Sequence, residues 1–219
     1  MALMPPGKHI TSLDNKQTGL YSYSMSQARA KSDARQRIVE TAERLFYAEG
    51  VRAVGINRII AEAEVAKMTL YNHFTSKDDL ILAVLEDREV QVNKMFAMSM
   101  KRHVRKGMDQ LDAFFASLKD WFKSPGFRGC SFINASIELA DARHPASRFS
   151  SEHKRGFHEM LRDIIVQTKG EKAASVAPEI ALLVEGAIVT AAMDRTPETA
   201  DVAKKAALML ISETSRKTK

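Results

Sequence analysis

Lys67, Thr69, Asn72, His73 and Lys77 fall within one short stretch, V-A-K-M-T-L-Y-N-H-F-T-S-K over residues 65–77, that contains no Asp or Glu. Leu70 and Phe74 stand four apart in it, so a helix here has one apolar side and one polar, cationic side. That chemistry suits contact with a polyanion. A helix narrow enough for the DNA major groove reads base edges with donors on its outer face, and flanking cations and hydrogen-bond donors hold phosphates. Lys67, Met68, Thr69 and Asn72 take outer positions near the helix start, and Tyr71, His73 and Lys77 are placed to touch the backbone. Asn57 and Arg58, in the first turn of another short helix upstream, suit a phosphate clamp. An ordinary helical pair with a solvated basic side has the same periodicity, so spacing alone leaves the two readings level.

The pattern also defines the elements that position these residues. Ser32 is a good N-cap, and Ile38, Ala42, Leu45 and Phe46 repeat at helical spacing up to Gly50. A shorter helix opens at Gly55 with Ile56, Ile59, Ile60 and Ala63 on its inner side. Glu64, Val65 and Ala66 make a turn, and a third helix runs from Lys67 to about Phe74. Two short helices joined by a tight turn behind a longer one form a helix-turn-helix unit. Ser76 caps a fourth helix with Asp78 and Asp79 in its first turn, and no Gly or Pro interrupts the chain up to Lys106. Such a helix is roughly 40 Å long and ties the head to the C-terminal half of the chain.

That C-terminal half is helical by pattern, with no strand-like alternation. Residues 108–123 carry Leu111, Phe114, Phe115, Leu118, Trp121 and Phe122 on one side, 130–140 form a short helix, and Pro145 starts a helix reaching Gly170. Residues 175–193 and a final helix from Thr196 and Pro197 carry small side chains at successive turns, Ala203, Ala206 and Ala207 among them, which suit close packing. The fold class is all-α.

Composition sets wider bounds. The chain has 219 residues, a formal net charge of +6, a pI near 9.4 and 45% hydrophobic residues. That length holds one or two domains, and the basic balance permits a nucleic-acid or anionic-membrane partner without selecting one. The single cysteine, Cys130, allows no intrachain disulfide and favours a reducing compartment. No uninterrupted apolar run approaches the roughly 18 residues of a spanning helix, and the first residues, M-A-L-M-P-P-G-K-H, make no secretory signal. A cytoplasmic protein is the expectation. Residues 1–31, with Pro5, Pro6, Gly7 and Gly19, read as a tail, or as a basic arm using Lys8, Lys16, Arg29 and Lys31; Met25 lies just before the first ordered pattern. No Gly-rich phosphate loop, G-x-S-x-G or H-E-x-x-H is present, so no enzyme activity is expected. His144, His153 and His158, with Asp141 and Glu138, match no tight ligand spacing, so neither a metal nor a cofactor is expected.

The run from Gly50 to Ile81 closely resembles the N-terminal domain of the tetracycline-repressor (TetR) family of transcriptional regulators, and the likeness covers about residues 33–88. V-A-K-M-T-L-Y-N-H-F-T-S-K-D-D-L is similar to the family's V-S-K-G-T-L-Y-x-H-F-x-S-K-E-x-L. The resemblance implies that Lys67, Met68, Thr69 and Asn72 face base edges and that Tyr71, His73 and Lys77 lie on phosphates. Four positions depart from the pattern: Gly55 for a capping Thr or Ser, Glu64 for the Gly of the turn, Ala66 for the Ser cap, and Met68 for a frequent Gly. Residues 128–141, R-G-C-S-F-I-N-A-S-I-E-L-A-D, look like the G-C-x-F/L-x-N-A-x-x-E stretch of one group of these regulators. That likeness implies that Cys130, Phe132, Asn134 and Glu138 lie on or near a small-molecule cavity. Phe96, Phe115, Trp121 and Phe157 join them as candidate lining, although such residues at helical spacing also serve as plain core, and Cys130 as a small buried hydrophobe.

The resemblance further implies a two-fold dimer joined by a four-helix bundle, two C-terminal helices from each chain; without it, packing inside the monomer reads equally well. The expected organisation is a tail over 1–31, a DNA-binding head over 32–78 with its motif at about 55–74, and a helical effector-binding and dimerisation domain over 79–219. The expected function is a homodimeric transcriptional regulator, a repressor that leaves its double-stranded DNA operator when a small-molecule effector binds. The alternative is a helical small-molecule-binding or partner-docking protein with a vestigial head.

Overall fold

The computed structural model describes residues 33–216, so the expected tail and the Ser32 cap lie outside the described residues. Among the described residues there are helices and no strand. The first helix, α1, covers 33–49 and turns Ile38, Ala42 and Leu45 fully inward. It stops at Gly50, whose φ is +97°. A β-carbon there would lie 2.6 Å from a carboxylate oxygen of Glu138, so conformation and close approach both call for glycine.

Helices α2 (Ile56–Glu62) and α3 (Lys67–Tyr71) come next, joined by a turn in which Glu64 is left-handed with a φ of 53°. A side chain in that conformation costs about 1–2 kcal/mol, and glycine gives back about half through its entropy. Glu64→Gly therefore raises stability by about 0.5–1 kcal/mol in a denaturant titration; a loss would show that the turn is not strained. Helix α3 ends at Tyr71, short of Phe74. The Phe74 amide still reaches the Leu70 carbonyl at 2.9 Å, so the last turn loosens before the extended Ser76. Leu70 and Phe74 are buried, and their burial turns the polar side of α3 outward.

Ser76 accepts the Asp79 amide at its side chain and starts α4 (Lys77–Arg105), 29 residues long. Asp78 and Asp79 open it and Arg102, His103 and Arg105 close it, each sign at the end where the helix dipole favours it. Ile81, Val84 and Leu85 meet Phe46, Tyr47 and Val51 of the head, and the rest of α4 packs on α5 (Gln110–Phe122) and α7 (Pro145–Lys169). Helix α6 (Ser131–Leu139) lies on α7. A 3-10 turn over Glu171–Val176 then leads into α8 (Ala177–Asp194), which pairs with α9 (Thr199–Arg216). Both last helices start later than periodicity suggests, because the 3-10 turn and Pro197 take up the first residues of each pattern.

The small-residue sides of this last pair face inward: Ala187, Ala191, Ala203 and Ala207 are buried, and they let α8 and α9 approach within one chain. This is the close packing inside the monomer that their small side chains suit. Solvent meets larger apolar groups instead, Leu182, Val189, Met193, Val202 and Met209, all between 44% and 76% exposed. Residues Glu171–Asp194 are long and apolar enough to cross a membrane by composition, yet Ile180, Val184 and Ile188 are buried in the body, as in the core helix of a helical protein.

Candidate DNA-contact surface and the cavity behind it

The exposed face of α3 carries Lys67, Met68, Tyr71 and Asn72, with Met68 70% exposed; Thr69 and His73 are half-buried beside them. Gly55 and Ala66 hold the N-cap positions of α2 and α3 in extended geometry without a side-chain cap. Asn57 is exposed in the first turn of α2. Arg58 is engaged elsewhere. Its guanidinium bonds Glu62 at 2.8 Å and also Glu49, and these two carboxylates raise its pKa further above the ordinary arginine value. Glu62 takes Arg44 as well, at 2.7 Å. Arg58 therefore ties α2 to the end of α1 through half-exposed ion pairs, beside the exposed Asn57. Lys77 folds back: its ammonium lies 3.4 Å from the Arg52 carbonyl and 5.9 Å above the Phe46 ring, and partial burial lowers its pKa.

The head is keyed to α6 at both of that helix's ends. The Tyr47 hydroxyl donates to the Gly129 carbonyl at 2.9 Å and accepts the Arg128 amide at 2.8 Å. At the far end the Arg52 amide donates to Glu138 at 3.2 Å, and the Arg52 guanidinium donates to the Leu139 carbonyl at 2.9 Å. Arg88 of α4 bonds Glu43 of α1 at 2.8 Å and lies 5.2 Å above the Tyr47 ring. This joint contains two of the residues expected at the cavity: Glu138 faces Arg52, and Asn134 donates to the Arg128 carbonyl at 3.0 Å. Nothing local in sequence marks Tyr47 or Arg52 for it.

On the other side of α6 a cavity of about 580 Å³ opens between α4 and α7, with α5, α6 and α8 beneath. Phe96, Trp121, Cys130, Phe132 and Phe157 line it. Phe115 does not: it is core, packed edge-on against Phe114 with ring centres 5.3 Å apart. Burial raises the Cys130 thiol pKa, so the group is a neutral thiol at pH 7. The polar lining was not anticipated. His153 stacks on Phe132 with ring centres 3.7 Å apart and holds Glu89 at 2.8 Å through Nδ1, and Lys154 pairs with Glu185 at 2.5 Å. Glu89 and His153 are far apart in the chain, and only the packing of α4 against α7 brings them together.

Burial lowers the His153 pKa, against a smaller upward pull from Glu89. The unfolded ring, near 6.5, then binds its proton before the folded one does, so stability present at pH 7 is lost as pH falls from about 6.5 through the depressed folded value. The melting temperature of the protein therefore drops more between about pH 7 and pH 5 than that of His153→Gln. Equal drops would contradict this.

Comparison with known proteins bears on both halves. Residues 38–84 match the family model described as bacterial regulatory proteins, tetR family, and residues 107–207 match that of the tetracyclin repressor-like C-terminal domain. A TetR-family transcriptional regulator from Streptomyces coelicolor superposes with a TM-score of 0.71 at 34% identity, over 84% of this chain and 97% of that one. A putative tetr-transcriptional regulator from Streptomyces avermitilis shares the fold, with a TM-score of 0.67 at 24% identity over 83% of this chain and 98% of that one. An HTH-type transcriptional regulator of Staphylococcus aureus (strain bovine RF122 / ET3-1) is 46% identical over 52 residues, which are 24% of this chain and 28% of the relative's length.

Proposed function

The chain belongs to the tetR family of bacterial regulatory proteins, and from that membership we propose that it is a sequence-specific DNA-binding transcriptional regulator, a cytoplasmic homodimeric repressor released by a small molecule. The observation that carries the proposal is the joint: α6 walls the cavity with Phe132 and holds the DNA-contact head through Tyr47, Arg52 and Glu138. Each α3 enters one major-groove half-site, with Lys67, Met68, Thr69 and Asn72 toward base edges and Tyr71, His73 and Asn57 toward the backbone. Lys77 bears on the backbone after its ammonium swings off the Arg52 carbonyl. A ligand that binds one arrangement of α4 and α6 more tightly than the other shifts the population of head spacings, and DNA affinity falls by that difference.

The dimer seam is the exposed apolar face of α8 and α9, where two-fold symmetry sets the same patch against itself. A gel-shift series against salt tests the contact surface. Lys77→Ala weakens binding to every sequence and reduces the salt slope by about 1, whereas Asn72→Ala relaxes preference at one base position by about 1–3 kcal/mol. Binding that ignores salt, or is unmoved by both substitutions, would leave a ligand-binding protein with a vestigial head.

A further inference from the structure

Resting on the reading that the cavity holds an effector, we infer that this effector is a lipophilic cation, an aromatic amine or onium ion, drawn by the Glu89 carboxylate among aromatic faces. Four charged side chains line the cavity: Arg88, Glu89, Glu152 and Lys154. Both cations are already answered, Arg88 by Glu43 at 2.8 Å and Lys154 by Glu185 at 2.5 Å. Glu152 lies 3.7 Å from Arg155. Glu89 is different. Its partner is the His153 ring at 2.8 Å, and among the described residues no lysine or arginine pairs with it. Burial depresses the His153 pKa, so the ring is neutral at pH 7 and supplies a hydrogen bond but no charge.

The balance decides the ligand class. A neutral apolar molecule filling this space would strip water from a carboxylate that has no counter-charge, which is costly. An anion would add repulsion to that cost. A cation replaces the lost water with an ion pair, and the Phe96 and Trp121 rings around the space offer it negative π faces, the Phe157 ring being already covered by the Lys154 ammonium 4.4 Å from its centre. The volume, about 580 Å³, lies within the range of sites for drug-sized molecules.

Trp121 is the one tryptophan of the chain and lines the cavity, so its fluorescence reports occupancy. The full-length protein is titrated with tetraphenylphosphonium and with its near-isosteric anion, tetraphenylborate. The cation binds about tenfold or more tightly than the anion. Glu89→Gln keeps an acceptor oxygen and loses the charge, and it erases that preference; Glu89→Asp keeps the preference; Glu86→Gln, on the exposed side of α4, leaves it unchanged. Equal binding of the two ions, tighter binding of the anion, or a preference that survives Glu89→Gln overturns the inference while leaving an effector cavity in place. If neither ion quenches Trp121, the effector reading beneath it fails too.

Discussion

Leu182→Glu gives a monomer that keeps its helices and loses operator affinity by about 10²–10⁴. Leu182 is 70% exposed on α8, beside Val189 and Met193 of the same helix and Val202 and Met209 of α9. A single chain has no reason to place five large apolar groups in water on one helix pair, and burying them against a second copy is favourable in proportion to area. A glutamate at that seam would be desolvated without a partner, at a cost of about 3–5 kcal/mol, and near its own symmetry mate. In the monomer the same change touches nothing buried, so circular dichroism and melting of the isolated chain stay close to normal. Light scattering reads the monomer, and gel shift reads the loss of linked two-headed binding. A variant that remains dimeric and keeps its operator affinity would place the seam elsewhere.

Gly50→Ala is the larger test of the joint. The backbone at Gly50, with φ at +97°, strains any side chain by about 1–2 kcal/mol. The added methyl also displaces the Glu138 carboxylate, 2.6 Å away, and with it the hydrogen bond from the Arg52 amide, worth about 1 kcal/mol. With about half of that strain offset by the entropy glycine loses on folding, the sum is about 1.5–2 kcal/mol, or a melting temperature lower by about 3–8 °C for a chain of this size. Glu138→Ala in the Gly50→Ala background separates the terms: the contact is then already gone, and the cost of the second change falls below that of Glu138→Ala alone. Strict additivity would show that α6 and the head do not meet there.

These two sites also show what sequence reveals and what it hides. The outward side of α3 was legible because Leu70 and Phe74, one turn apart, suffice to orient it. The Ser76 cap and its acids were legible for the same reason, since a helix start is a local event. Arg58 was half legible: Glu62 is four residues away on its own helix, but Glu49 reaches it only through the angle between α1 and α2. In the motif of α6, Phe132 faces the cavity, whereas Asn134 and Glu138, four apart, share the opposite side and meet the head. Motif likeness gave their neighbourhood and not their side. The Glu89–His153 pair and the Leu182–Met209 face depend on which helices pack together, and no short stretch of sequence encodes that.

The most direct measurement is a footprint of the purified protein on the DNA upstream of its own gene, taken at several salt concentrations. Two protected half-sites should appear on one face of the duplex, about 10–10.5 base pairs or a multiple apart, with affinity that falls steeply as salt rises. Protection should disappear with Leu182→Glu, whose heads are intact but unlinked. A folded dimer that protects no site and shows no salt-dependent binding to any DNA would contradict the account at its root.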